Sequence, residues 1–568
     1  MKKNFLVVAS LAIIMMMGIH ASTSACTNFL ITKGASADGS TMITYSADSH
    51  VLYGELYFWP AADYPDGAML DVVEWDTGKP MGKIPQISHT FSVVGNINEN
   101  QVAIGETTYG GREELATQSG AIMDYGSLMY IALQRASSAR EAIRIIADLM
   151  DTYGYASSGE SFSISDKDEV WIMEMIGKGE GQKGAVWVAL LVPDGYICGH
   201  ANQARITTFP YQKENQWDNM SMTCYNAPDV ISFAREKGWY EGSDSDFSFS
   251  DTYAPVGFGG ARFCEARVYA MFNRVNPNMG QYEAYARGEI EHGDNGYASN
   301  RMPLWIKPDH KVTVKEVMDL MRDHYENTSM DMTNDFGAGP FQSPYRWRPM
   351  TWKVDSVGYC NERATSTQQS GFVFVAQARN WLPDPIGGIL WFSVDDTYTN
   401  CYVPMYCGIL QIPEPYAVGN GDMLTYSPTS AFWTFTFVSN WAYTKYNYMI
   451  KDIQKVQSRL ENFFINATPG VDREALALYD ESPMAAREYL TDYSTAMGNY
   501  TVDTWRDLGQ YLLVKYHDGN VKKEKDGTFE RNEWGVPAFP DQPGYPEWWM
   551  KKIADDHGDN VKVIGSAH

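Results

Sequence analysis

One cysteine, Cys26, closes an N-terminal leader and opens a strand. Lys2 and Lys3 form a basic start, Phe5 to Ile19 an apolar run, and Thr23-Ser24-Ala25 the small-residue end of a signal peptide. Cleavage after Ala25 puts a thiol and a free α-amine on the same residue. An α-amine with a pKa of about 7.7–8.0 accepts a thiol proton near neutral pH. Cys26 would then carry nucleophile and base together. Three readings compete: an accidental cysteine, a lipidated one and a catalytic N-terminal one. Lipidation fits poorly, because Thr23 stands where an apolar residue such as leucine is expected. A lipidated cysteine also leads into a polar linker, whereas Thr27-Asn28-Phe29-Leu30-Ile31-Thr32 alternates and is β-branched, as a strand does. The chain enters its fold at once, which favours a positioned, catalytic Cys26.

The 568 residues exceed one simple core and suggest two units. A hydrophobic share of 44% with 20% charged residues describes a globular chain. After the leader no run approaches the roughly 20 apolar residues of a membrane helix. The formal net charge of −25 repels phosphate backbones, so nucleic acid is excluded as an expected partner. Besides Cys26 there are Cys198, Cys224, Cys264, Cys360, Cys401 and Cys407. An oxidising compartment permits disulfides among them, and spacing does not fix their pairing. No C-x-x-C pair or H-E-x-x-H helix is present, so no metal is expected.

Strands and tight turns dominate the first half. Phe29 to Thr32 and Thr41 to Tyr45 flank the turn Ala37-Asp38-Gly39-Ser40, and residues 93–98 and 101–105 flank Glu99-Asn100. Helical spacing follows over 128–133 and 139–153, then strands over 169–176, 186–192 and 196–200. This alternation predicts a layered α/β fold. Residues 210–260 read as an irregular insertion or lid. Helices are expected at 263–275 and 312–324, and strands at 371–377 and 388–394. From a boundary near 420 the texture becomes helical: 431–464, 473–499 and 502–516, with Pro469-Gly470 separating the first two.

Attack on a carbonyl by Cys26 needs an orienting group, an oxyanion donor and a substrate grip. Asp48 follows the second strand and is near enough in chain to reach back to Cys26. Asn202, at the end of a strand in Gly199-His200-Ala201-Asn202, can aim an amide at developing negative charge. His200 offers a Cys-His dyad instead. Arg262 follows the glycine turn Gly259-Gly260 and starts a helix, while Arg267 reads as a surface or structural pair. Glu106 and Glu174 end or interrupt apolar strand runs, and periodicity leaves open whether they face a cleft.

Cys26-Thr27-Asn28-Phe29, Asp38-Gly39-Ser40-Thr41, residues 98–107, Trp171-Ile172-Met173-Glu174 and His200-Ala201-Asn202-Gln203-Ala204-Arg205-Ile206 resemble the dipeptidase A family of cysteine peptidases. Residues 301–306, 321–326 and 377–383 agree in order, and the resemblance runs from Cys26 to about Gly408. These enzymes belong to the N-terminal-nucleophile (Ntn) hydrolases. The resemblance implies an αββα four-layer sandwich, Cys26 as nucleophile, Asp48 orienting it, Asn202 at the oxyanion and Arg262 supporting the site. Glu106 stands where related acylases carry an amide. The family commonly shows Arg-Asn-Glu-Asp where this chain has Tyr45-Ser46-Ala47-Asp48, so Tyr45 replaces an arginine beside the nucleophile.

The expectation is therefore a signal peptide over 1–25, an Ntn catalytic domain over 26–420 and a helical C-terminal region over 421–568. The expected activity is that of an exported bacterial cysteine dipeptidase, periplasmic or extracellular. Its substrates are short peptides, bound with the help of Glu106, Glu174 and Tyr45, without cofactor. The alternatives are an Ntn amidase acting on N-acyl compounds of the penicillin or bile-salt type, and a non-enzymatic surface lipoprotein.

Overall fold

The computed structural model describes residues 26–564; the expected leader, 1–25, lies outside the described residues. Two antiparallel sheets organise the chain. Their strands are β1 (Asn28–Ile31), β2 (Thr41–Asp48), β3 (Phe58–Trp59), β4 (Val93–Val94), β5 (Ile97–Asn98), β6 (Ala103–Tyr109), β7 (Gly159–Ser165), β8 (Val170–Gly177) and β9 (Ala185–Leu191). They continue with β10 (Ile197–His200), β11 (Cys224–Asn226), β12 (Trp305–Ile306), β13 (Ser370–Ala378), β14 (Ile389–Val394) and β15 (Val403–Tyr406). The seven-stranded sheet runs β12-β10-β1-β2-β13-β14-β15, and the eight-stranded sheet β11-β9-β8-β7-β6-β5-β4-β3. Both β1 and β2 are buried along their whole length, as strands covered on both faces must be.

The sheets meet where β6 crosses β1 and β2. Gly105 makes that approach possible: a Cβ there would lie 2.4 Å from Asn28 Oδ1 and 3.2 Å from Tyr45 Cβ. The Asn28 amide donates to the Glu106 carbonyl across the same gap. On the outer side of the eight-stranded sheet lie α1 (Tyr125–Arg135) and α2 (Ala139–Tyr153). Asp124 and Ser138 cap them, and Ala142, Ile143, Ile146 and Met150 form the buried face of α2. Asn98 Nδ2 joins sheet to helix by donating to the carbonyls of Leu133 (2.8 Å) and Ala136 (2.7 Å).

The expected helix over 263–275 begins as a wide π turn, Gly260–Glu265, which runs into α3 (Ala266–Val275). The expected helix over 312–324 is the shorter α4 (Val314–Leu320), started by a capping box of Thr313 and Glu316. Residues 210–260, expected as an irregular insertion or lid, instead carry β11 and the short helices Val230–Glu236 and Phe249–Tyr253, with Phe233, Phe249 and Tyr253 buried.

After 420 come α5 (Ala431–Ala442), α6 (Tyr446–Glu481) and α7 (Pro483–Lys515), which lie directly on β14 and β15. Ion pairs Arg322–Glu461 (2.5 Å), Arg379–Asp472 (2.5 Å) and Arg487–Glu99 (2.7 Å) tie them down. The expected break at Pro469-Gly470 is absent, since α6 runs through it. The buried stripe Phe464, Thr468, Val471 and Ala475 keeps helical spacing across the proline, so packing overrides the lost N–H. The chain breaks instead at Ser482, which caps α7 ahead of Pro483 at its first turn. Cys198, Cys224, Cys264, Cys360, Cys401 and Cys407 form no disulfide. Among the described residues no helix is long and apolar enough to cross a membrane.

Candidate active site

Cys26 precedes β1, in the middle of the seven-stranded sheet, and is buried with 1% of its surface exposed. Its Sγ lies 3.6 Å from Glu106 Oε1 on β6 and 3.8 Å from the Tyr45 hydroxyl on β2. That hydroxyl in turn donates to Glu106 Oε1. The face-to-face packing at Gly105 is what brings a carboxyl of one sheet against a thiol of the other. Burial raises the Cys26 pKa well above the ordinary thiol value, and the Glu106 and Asp48 carboxylates add to the rise. Burial likewise pushes Glu106 up to about 7. Glu160 beside it is raised by burial and by Glu106. At neutral pH the thiol therefore keeps its proton until a base removes it.

Asp48 ends β2 and is fully buried. Ser46 Oγ and Ser370 Oγ both donate to its Oδ1 at 2.6 Å, and the Arg363 guanidinium pairs with Oδ2 at 2.5 Å. Arg363 carries no sequence motif and was invisible to pattern reading. It supplies the positive charge that faces Asp48.

Arg267 on α3 holds the backbone of the nucleophile. Its NH1 donates to the Cys26 carbonyl at 2.5 Å and to Thr27 Oγ1 at 2.7 Å; its NH2 donates to Asn202 Oδ1 at 2.8 Å. Of the two readings of Arg267, a surface or a structural pair, the surface one is excluded: it is 1% exposed and bound to the nucleophile's own residue. Arg262, one wide turn earlier, instead pairs with Glu362 (Nε to Oε2, 2.8 Å) and donates to the Arg287 carbonyl at 3.0 Å. Arg262 lies within the π turn, and Arg267 on the helix that follows it. Gly260 seats that turn against the loop after β10, since a Cβ there would meet Gln203 Oε1 at 2.2 Å.

Asn202 adopts a left-handed φ of 62°, a conformation asparagine tolerates. Its Nδ2 spends one hydrogen on the Thr108 carbonyl at 2.6 Å and carries a second. The other expected residues do not join the group. Glu174 accepts from the backbone N–H of Arg205 (2.6 Å) and Ile206 (3.0 Å), one on each oxygen, and so shapes the loop after Asn202. His200 is bridged between Thr107 Oγ1 (2.7 Å) and Ser163 Oγ (2.8 Å), and burial lowers its pKa to about 3. Both of its ring nitrogens are taken up by these hydroxyls. Among the described residues no cluster of His, Cys, Asp and Glu is placed to hold a metal ion.

A family model, Peptidase family C69, matches residues 54–459. The chain belongs to peptidase family C69. This C69 peptidase is similar to a probable dipeptidase of Salmonella dublin, 25% identical over 406 residues that cover 68% of this chain and 81% of the relative. It is 24% identical to the probable dipeptidase B of Lactococcus lactis subsp. lactis (strain IL1403), over 72% of this chain and 79% of that one. It is 21% identical to the dipeptidase A of Lactobacillus helveticus, over 69% and 77%. The family match takes in Glu106, Asn202, Arg267 and Arg363 and reaches into α6; it starts beyond Cys26, Tyr45 and Asp48.

Proposed function

We propose that the mature chain begins at Cys26 and is an exported bacterial cysteine dipeptidase of the Ntn type, its two sheets and outer helices forming the αββα sandwich of that class. The observation that carries the substrate class is the 3.6 Å separation of Glu106 Oε1 from Cys26 Sγ. In a dipeptide the α-nitrogen is two bonds, about 2.5 Å, from the attacked carbonyl carbon. Attack requires that carbon about 3–3.5 Å from sulfur. The substrate ammonium then falls within reach of Glu106, a buried carboxylate suited to pair with it. An N-acyl group at the same place would bring bulk and no charge against that carboxyl, which favours peptides over acylase substrates.

In the proposed mechanism the free α-amine of Cys26 takes the thiol proton, and the thiolate forms a bond to the carbonyl carbon. The second amide hydrogen of Asn202 stabilises the oxyanion, while Arg267 fixes Asn202 and the Cys26 backbone relative to each other. Collapse breaks the C–N bond as the protonated amine returns its proton to the leaving nitrogen. Water, activated by the same amine, then hydrolyses the thioester and restores the thiol. The buried place of the Cys26 thiol between Tyr45 and Glu106 favours a free thiol over a lipidated one.

Mass spectrometry of the secreted protein is expected to give an unmodified Cys26 at the N-terminus. Free dipeptides are expected to be cleaved and their N-acetyl forms to be poor substrates. Undiminished turnover in Cys26→Ala, or preferred cleavage of capped amides, would overturn this reading.

A further inference from the structure

Three guanidinium groups gather around one carboxylate beside the nucleophile. Arg363 pairs with Asp48, and Arg267 spends its donors on carbonyls, a hydroxyl and an amide. Arg348 is exposed, and among the described residues it has no carboxylate within ion-pair distance. Its NH2 donates to a neutral partner, Gln369 Oε1. The other end of that amide, Gln369 Nε2, is buried without a hydrogen-bond partner, on a side chain only 5% exposed. A cation without a counter-ion and an orphaned donor thus sit side by side. Such a pair is costly unless an acceptor arrives.

The place is fixed by the sheet. The Ser49 N–H donates to the Gln369 carbonyl at 3.0 Å, and the next residue, Ser370, donates to Asp48. Arg348 and Arg363 also line one cleft. The electrostatics agree: burial first and then Arg363 lower Arg348 to about 10, Asp48 partly opposes them, and Arg267 adds to the fall. Asp48 links this place to the nucleophile: it accepts from Ser370 Oγ, next to Gln369, and from Ser46 Oγ, and the Ser46 carbonyl accepts from the Thr27 N–H beside Cys26. A dipeptide carries one charge of each sign, separated by about two residues of chain, or roughly 7 Å.

We infer that Arg348 and Gln369 receive the α-carboxylate of the substrate's second residue, so that the site measures peptide length by its two charges. This rests on the reading of the Cys26 site as a dipeptidase. Arg348 donates through its guanidinium fork and Gln369 through Nε2, and Arg363 remains with Asp48.

The test compares free dipeptides, the same dipeptides as C-terminal amides and aminoacyl p-nitroanilides, on the full mature chain. Wild type is expected to favour the free acid through KM. Arg348→Gln is expected to raise KM for the free acid roughly 10- to 100-fold, the loss of a charged hydrogen bond, with kcat little changed. It should leave the amide and the anilide unaffected, and Arg348→Lys should restore part of the preference. Gln369→Glu, an isosteric change that supplies an internal carboxylate, is expected to abolish the preference even if Arg348→Gln fails to fold. Equal cleavage of acids and amides by wild type would overturn the inference and leave the dipeptidase reading standing. A wild type that cleaves none of the three would overturn that reading, and the inference with it.

Discussion

Arg363 reaches Asp48 across 315 residues of sequence and meets it at 2.5 Å, with both side chains buried. Removing one member of such a pair leaves an uncompensated charge in the core, at a cost of about 3–5 kcal/mol. Arg363→Ala is expected to lower the thermal midpoint strongly, and Asp48→Asn/Arg363→Ala to recover part of the loss. A thermal double-mutant cycle checks this, and additive losses would mean the pair is not coupled.

The two arginines of the α3 region should separate cleanly. Arg267→Ala frees the Cys26 carbonyl and Asn202 together, so kcat is expected to fall about 100-fold or more, the scale of an oxyanion-site loss. Arg262→Ala breaks only its pair with Glu362 and is expected to keep activity within a few-fold. Steady-state kinetics on one dipeptide decides between them.

Glu106 links pH to stability with a definite sign. Its folded pKa, about 7, lies above the ordinary glutamate value of about 4.3. Between those values the folded chain keeps a proton that the unfolded chain releases, so stability falls as pH rises from about 4.3 through 7. Glu106→Gln cannot ionise. It is expected to unfold at a higher temperature than wild type at pH 8 and to lose that advantage at pH 4. The same variant should cleave free dipeptides poorly, so the site gives up stability for its substrate ammonium. Melting curves at the two pH values, run beside kinetics, test both halves.

Pro469 offers an independent check on the helical layer. It is exposed on α6, removes the N–H that would reach the Ile465 carbonyl, and leaves the helix intact. Pro469→Ala is expected to stabilise the protein by about 1–3 kcal/mol with unchanged kinetics, read from chemical denaturation. A destabilised variant would show that the local shape of α6 depends on the proline.

Much of the fold was legible because local pattern and burial agree. β1, β2 and the turn between them follow from β-branched residues around Asp38-Gly39, and α2 from its apolar spacing. Cys26 and Asp48 were legible for the same reason: the β1–β2 hairpin places them close in sequence. Arg363 was not, because its partner lies at the far end of the chain and only the β2–β13 pairing brings them together. Glu106 and Glu174 looked alike as acidic residues in apolar strands. Only the sheet crossing at Gly105 and the loop after Asn202 tell them apart. Pro469 misled because a local breaker was outweighed by a continuous buried stripe.

The wide turn Gly260–Glu265 has a consequence for how this site can change over time. A π turn accommodates an extra residue without adding a full turn, and in an α-helix each residue is worth about 100° of rotation. A chain that lost one residue there would keep α3, its apolar contacts and both sheets. Arg267, on α3, would stay at the Cys26 carbonyl, while Arg262 and the residues ahead of the turn would rotate relative to it. The turn works as a phase dial between the helix that holds the nucleophile and the segment ahead of it, and single-residue indels in it are a route by which the surroundings of the site can be altered while the fold survives.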